Sequence, residues 1–280
     1  MYKIILDSSG ELTEEMKADE HFVNVPMTLD VNGYTVIDDD TFDQADFLRR
    51  VKESPTAPKS ACPAPGMYLE QIDSVEENVY LITISGALSG SYNSAVVAKE
   101  MYEEEHKESK KNIHVFDGKT TAVGETLIAM KIAACEKAGM AFDEIVKAVE
   151  NYIAEQHTFF VLETLEVLRK AGRLGLLKER IAHTLRIKPV MGSTSEGNIQ
   201  QLAQVRGMKN AITKMVDLML AATKNCSEKV LGISHCNCLD RALKLKEEIE
   251  KRAKFKDILI MDTRALNTTY ACDGGLIMVV

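Results

Sequence analysis

The chain has 280 residues, enough for a sizeable core in one large or two modest domains. Its net charge of −8 excludes a broad nucleic-acid-binding surface, which needs clustered Lys and Arg, yet leaves room for a local anion site. No apolar run approaches the ~18 residues that span a bilayer, and the six scattered cysteines read as free thiols of a cytoplasmic protein.

Tyr2–Leu6 reads as a short buried strand, and a helix begins near Thr13 with Glu14 and Glu15 in its first turn. Phe22–Val31 reads as a second strand and Phe42–Glu53 as a helix. Val79–Ser85 is a strand that runs into a Ser/Gly segment, with a helix over Ser89–Glu105. A strand at Ile113–Phe116 and an Ala-rich helix at Glu125–Ala138 follow. Strands of this buried type, separated by helices, predict a parallel sheet whose ligands collect at the carboxyl ends, where Ser85–Ser91 falls.

The second half has another rhythm. Phe159–Leu162 is strand-like, and a short helix holds Leu165 and Leu168 before Ala171–Leu174. Ile187–Met191 and Ile199–Val205 flank a Ser/Gly turn as a hairpin, and Met208 to Met219 form an apolar helical face. Strands at Val230–Ser234 and Ile258–Met261 bracket a helix over Leu239–Ala253, and the chain ends in a strand. The expected fold class is α/β: an N-terminal parallel-sheet α/β domain over residues 1–157, packed on a C-terminal α+β domain over 158–280.

A strand that ends in serines and glycines at a helix N-terminus gathers hydroxyls and unpaired N–H groups that suit an anionic oxygen group. The nucleotide motifs G-x-x-x-x-G-K-[ST] and G-x-G-x-x-G are missing, and Gly86 precedes Ser89 by three residues, so the loop is no nucleophile elbow. The six histidines, at 21, 106, 114, 157, 183 and 235, sit in no triad context. His235-Cys236-Asn237-Cys238 has ligand types that suit zinc, but no second pair with metal spacing accompanies it, and a strand ending at Ser234–Cys236 before a helix that starts near Asn237, with Asn237 as its cap, explains it better. No metal site is expected.

With the Ser-rich loop in hand, the remaining segments fall into one pattern. Asp7-Ser8-Ser9 follows the first strand; Ser60-Ala61-Cys62-Pro63 stands where a Thr-Ser-Gln-Pro motif would; Ile84-Ser85-Gly86-Ala87-Leu88-Ser89-Gly90-Ser91-Tyr92 forms the loop. Leu165–Leu174, Ile187-Lys188-Pro189-Val190, Gly197 and Val205-Arg206-Gly207 complete it. In these segments the chain resembles the DegV family along its whole length.

The resemblance implies a carrier of a long-chain fatty acid rather than an enzyme, without a cofactor, and for some members a partnership with a fatty acid kinase subunit. It implies that Ser60 and Ser89 hold the carboxylate. Ala61, Ser85, Gly90, Ser91, Arg173 and Tyr270 join the ligand site, and Arg206 faces a partner. Two hydroxyls and helix N-terminal N–H groups satisfy a carboxylate without a full positive charge, and the 13 methionines suit an adaptable apolar tunnel between the domains. Taken alone, Ser89 is a helix N-cap, Ser60 a loop residue, Arg173 a carboxylate partner or helix-end cap, and Arg206 a solvated cation. The family's His-x-Gly-Pro-Gly becomes Tyr270-Ala271-Cys272-Asp273-Gly274, which touches cooperation with a kinase more than lipid binding. The rival reading is a small-metabolite phosphoryl- or acyl-transfer enzyme related to dihydroxyacetone kinases, whose substrate is held through a histidine.

Overall fold

The computed structural model describes residues 1–174 and 187–280. In chain order the first part comprises β1 (Tyr2–Asp7), α1 (Glu14–Lys17), β2 (Phe22–Val25), β3 (Thr28–Val31), β4 (Tyr34–Ile37), α2 (Gln44–Glu53) and β5 (Lys59–Ala61). Then come α3 (Pro65–Ile72), β6 (Asn78–Thr83), α4 (Ser91–Glu105), β7 (Asn112–Asp117), α5 (Val123–Lys137) and α6 (Phe142–Glu155). The rest contains β8 (Thr158–Val161), α7 (Glu166–Lys170), β9 (Ile187–Ser193), β10 (Ile199–Arg206), α8 (Met208–Ala222) and β11 (Val230–His235). It closes with α9 (Leu239–Glu250), β12 (Asp257–Asp262), α10 (Ala265–Ala271) and β13 (Leu276–Val279).

β2, β1, β6 and β7 form a parallel sheet in that order. Its strands are apolar on both faces because helices cover both. Ile5, Val79 and Leu81 pack on Tyr68, Ile72, Ala95 and Ala98 of α3 and α4. Ile4, Leu6, Tyr80 and Ile82 point the other way, onto Ile128, Ile132, Ile145 and Val149 of α5 and α6. The strands beyond residue 157 build a mixed sheet in the order β10-β9-β8-β13-β11-β12. One of its faces is covered by α8 and α9, through Ala211, Met215, Met219, Leu245 and Ile249.

The opposite face of the mixed sheet receives the start of α5, where Ala122, Val123 and Leu127 meet Phe160, Met191, Ile277 and Val279. One helix thus packs against both sheets and fixes the distance between them. Gly232 in β11 permits this approach, since a Cβ there would lie 2.5 Å from Val123 Cγ2. Gly232→Ala should therefore wedge α5 from the sheet, destabilising the protein by roughly 1–3 kcal/mol in denaturant melts.

A third sheet, β4-β3-β5, is absent from the expected architecture. Phe22–Val31 is not one strand: Pro26 has no N–H for a ladder, and the chain leaves the parallel sheet there. β2 stays in the parallel sheet, while β3 pairs antiparallel with β4 and β5. Leu29 and Val31 of β3 bury Phe47 of α2 and Ala265 of α10, so residues from the beginning of the chain support a helix from its end. The pairing of Leu29 with Ser60 places that serine on a strand rather than in a loop. Among the described residues, no helix is long and apolar enough to cross a membrane.

Candidate ligand-binding site

The carboxyl ends of β6 and β7 face the mixed sheet across a cavity of about 320 Å³. Met27, Ile84, Leu88, Phe160, Leu162, Leu168, Ile199, Leu266 and Ile277 make the apolar part of its wall. The expected lining of methionines is not seen among the described residues of this cavity. Met27 alone of the methionines touches the cavity, while Met215, Met219 and Met278 belong to the core under α8 and α9. The buried lining is mainly apolar, through Phe160, Leu162, Leu168 and Leu266, with Thr120, Thr158 and Asn267 among it, whereas Ala61, Cys62, Gly90 and Arg173 are exposed and mark the mouth, next to the half-buried Ser60 and Ser89.

Of the residues singled out above, Ser60, Ala61, Ser89, Gly90, Arg173 and Tyr270 line this one cavity. Ser89 sits one residue before Gly90, the N-cap of α4, so the helix starts two residues later than its composition suggested. Its Oγ accepts the Ser91 N–H at 3.2 Å, which leaves the hydroxyl proton free to donate into the cavity. Gly90 carries no side chain that could cap α4, and helix starts of this kind are anion-receptive through their first-turn amides. Ser60 Oγ and Tyr270 Oη are 3.0 Å apart. Two hydroxyls in contact use one proton between them, so the pair also keeps one to donate.

Arg173 reaches over the mouth. Its Nε donates to Leu88 O at 3.1 Å and its Nη1 to Ala171 O at 2.7 Å, so it caps the end of α7 and ties it to the Ser-rich loop. Lys119, in the turn after β7, lines the same cavity and escaped the sequence reading. It follows Gly118 in a segment without a recognisable motif, and only the third dimension brings it to the loop. Among the described residues the cavity lining therefore contains two cations, the expected Arg173 and the unexpected Lys119.

Ser85, Ser91 and Arg206 lie elsewhere. Ser85 is fully buried and donates to Gly197 O at 2.9 Å, fastening the Ser-rich loop to the β9–β10 turn. Ser91 is fully buried against Asp7 and Tyr68. Arg206 ends β10 on the exposed surface, and its carbonyl accepts Asn210 Nδ2. No described histidine lines the cavity, and His183 lies outside the described residues. Burial pushes the Cys236 thiol up to about 12 and Cys272 up to about 11, so neither is a thiolate near neutrality. The described residues contain no cluster of three or more metal-ligating side chains.

The loop after Tyr270 carries backbone strain. Cys272 has φ 56° and ψ 170°, a conformation that suits glycine. Cys272→Gly should be more stable than Cys272→Ala by about 1 kcal/mol, since the pair differs only by the Cβ that this φ resists. Thermal melts of the two variants check this.

Below the cavity runs a buried polar network. Thr121 and Asn267 line the wall; Thr121 Oγ1 donates to Asn267 Oδ1 at 2.7 Å, and Asn267 Nδ2 donates to Ser9 O at 2.7 Å. Glu11 accepts from Ser234 Oγ at 2.5 Å and from Asn267 at 3.3 Å. Burial pushes the Glu11 carboxyl up to about 8 and Asp7 up to about 6, in each case against the hydrogen bonds that favour the anion. Both groups titrate near 4 when unfolded, so their stabilising contribution is complete below that range. It is lost as pH rises through about 6 for Asp7 and about 8 for Glu11. The melting temperature should fall between pH 5 and pH 9, and Glu11→Gln should flatten the upper part of that decline in a fluorimetric scan.

These features can be set beside known proteins. The family model for uncharacterised proteins of the DegV family matches residues 1–278. A DegV domain-containing protein of Streptococcus gordonii is 32% identical over 279 residues, covering 99% of this chain and 98% of its own. A DegV family protein of Ruminococcus gnavus, whose crystal structure is described with vaccenic acid, aligns with a TM-score of 0.96 at 48% identity, over 100% of this chain and 99% of its own. The Streptococcus pneumoniae Fatty Acid Kinase (Fak) B3 protein, loaded with linoleic acid, aligns with a TM-score of 0.88 at 31% identity, over 100% and 98%. The match to the family model and the architecture of parallel sheet on mixed sheet agree, and the chain belongs to the DegV family.

Proposed function

We propose that the protein binds a long-chain fatty acid, with the carboxylate at Ser60, Ser89 and Tyr270 and the tail along the apolar wall. The observation that carries this reading is the placement of spare hydroxyl protons at the mouth of a cavity whose wall is largely apolar. Ser89 offers one proton, the Ser60–Tyr270 pair offers another, and Arg173 and Lys119 supply positive potential at the same end. Each buried methylene adds ~0.8 kcal/mol, so a dozen of them contribute on the order of 10 kcal/mol before ordering costs. Fatty acids in the Ruminococcus gnavus and Streptococcus pneumoniae relatives support the ligand class.

The reading is of a carrier. Ser89 accepts a backbone N–H and has no histidine beside it among the described residues, so nothing activates it as a nucleophile. A histidine-held metabolite, as in the phosphotransferase alternative, meets no histidine among the described residues of this wall. Kinship with the Fak B3 protein supports presentation of the bound acid to a kinase, with the exposed Arg206 facing that partner. Tyr270→Phe removes one hydroxyl of the head-group set and should weaken binding of oleic acid about three- to tenfold, measured by fluorescent-ligand displacement. Unchanged affinity would take Tyr270 out of the site.

A further inference from the structure

Behind the mouth of the cavity, three carboxyl groups are enclosed together: Asp7 at the end of β1, Glu11 just after it, and Glu125 in the first turn of α5. Asp7 accepts on every side, from the Ser9 N–H and the Ile84 N–H at 3.0 Å each and from the Ser91 hydroxyl at 2.5 Å. Ser91 has one proton and spends it on Asp7, so the Tyr68 hydroxyl, 2.7 Å away, donates to Ser91. Glu125 presents the opposite case. Both of its oxygens are buried and meet no N–H or O–H donor. The Ser9 hydroxyl lies within reach of Glu125, but Thr121 donates to Asn267, so the one proton of Ser9 goes to Thr121 at 2.8 Å. The group beside Glu125 is the Asp7 carboxylate.

A buried carboxyl without a donor, next to a carboxylate crowded with donors, is satisfied in one way: it carries its own proton and gives it to its neighbour. We propose that Asp7 and Glu125 share a single proton, carried by Glu125, and that this pair positions Ser91 and thereby the Ser89 hydroxyl for the ligand's carboxylate. The inference rests on the fatty-acid reading above. The mechanical link is short, because the Ser91 side chain is held by Asp7 while its N–H is received by Ser89 Oγ. The other titratable groups facing the pair are Tyr68 on α3, with Cys62 beyond it, and Glu11. Arg264 is bonded to Asp38 and Asn24 and is not among the pair's neighbours. Burial acts in the same direction, raising Glu125 well above the usual carboxylate range and Asp7 less. Gly10 leaves the room Glu125 needs, since a Cβ there would come within 3.2 Å of its Oε2.

Affinity for oleic acid and for methyl oleate, measured on the full-length protein at pH 7, tests this. The ester keeps the tail and loses the charge, so a positioning defect lowers acid affinity selectively, whereas a general structural defect lowers both. Asp7→Asn places an amide where donors converge and should reduce oleic acid affinity at least tenfold, with methyl oleate changed less than threefold. Ser91→Ala cuts the link and removes one of the donors to Asp7 while leaving both carboxyl groups in place, and should show the same selective loss, about fivefold, even if Asp7→Asn does not fold. Glu125→Gln retains a donor and should bind oleic acid at least tenfold more tightly than Glu125→Met, which has none. Equal loss for acid and ester, or a Gln variant no better than the Met variant, overturns the inference and leaves the fatty-acid reading intact. Wild-type protein that takes up neither probe overturns both.

Discussion

Replacing Ser89 with alanine should reduce affinity for a free long-chain fatty acid by roughly 10- to 100-fold, because a hydrogen bond to a charged group contributes about 1.5–3 kcal/mol. The loss comes from one proton. Ser89 Oγ is committed as an acceptor to the Ser91 N–H, so its own hydrogen is the part of the residue free for a ligand. Alanine also removes the bond to that N–H, a neutral hydrogen bond worth about 0.5–1.5 kcal/mol, so the fold should persist with modestly lower stability. Ser60→Ala should act less strongly, since Tyr270 Oη remains beside the vacated position. The double variant Ser60→Ala with Ser89→Ala should approach the affinity of the methyl ester, which cannot engage the site as an anion. Isothermal titration with oleic acid on lipid-stripped protein distinguishes these cases. Identical affinities across the three variants would place the carboxylate elsewhere.

Gly197→Ala should lower stability by about 2–4 kcal/mol and the melting temperature by on the order of 5–10 °C. Gly197 has φ +79°, and a Cβ there would fall 2.2 Å from Ser85 Oγ and 3.0 Å from Lys119 Cα. The side-chain clash cannot be relieved by simple rotation, because Ser85 Oγ is bonded to Gly197 O itself. The Ser-rich loop and the β9–β10 turn must separate, and both line the cavity, so ligand affinity should fall with stability. Gly139 provides the comparison. Its φ is +71° but nothing lies within 4 Å of an added Cβ, so Gly139→Ala should show the conformational part alone, about 1 kcal/mol. Similar melting temperatures for the two variants would mean that the contact between turn and loop contributes nothing.

The parts of this molecule legible in the sequence are those with local causes. Strands apolar on both faces, such as Tyr2–Asp7 and Asn78–Thr83, announce a parallel sheet because only covered faces tolerate such composition. The Ser/Gly loop between β6 and α4 is legible for the same reason, since a strand end and a helix start leave few arrangements for it. The third sheet was not legible. Nothing in Tyr34–Ile37 or Lys59–Ala61 has the apolar weight of a core strand, and their pairing with Thr28–Val31 depends on a packing surface that α10 supplies from more than 200 residues away in sequence.

Site residues divide along the same line. Ser89 and Gly90 follow from their place at a helix start, whereas Ser60 reaches the cavity because β5 is held by β3 and pairs with Tyr270 across the chain. Ser85 and Ser91 share the composition of the loop but face inward, because consecutive residues around a helix start point in different directions. Their hydroxyls build the site rather than line it. Lys119 and Glu125 carried no sequence signal beyond an isolated charge, and Asp7, though part of the Asp7-Ser8-Ser9 segment, gave no sign of its buried partner; their significance lies in burial and neighbours.

The account stands most directly on what the cavity contains. Purified protein, denatured after gentle isolation and extracted with organic solvent, should release about one equivalent of a long-chain fatty acid by mass spectrometry, and lipid-stripped protein should take up oleic acid with saturation at a single site. Protein that releases no fatty acid, and after stripping takes up none, would contradict the central claim.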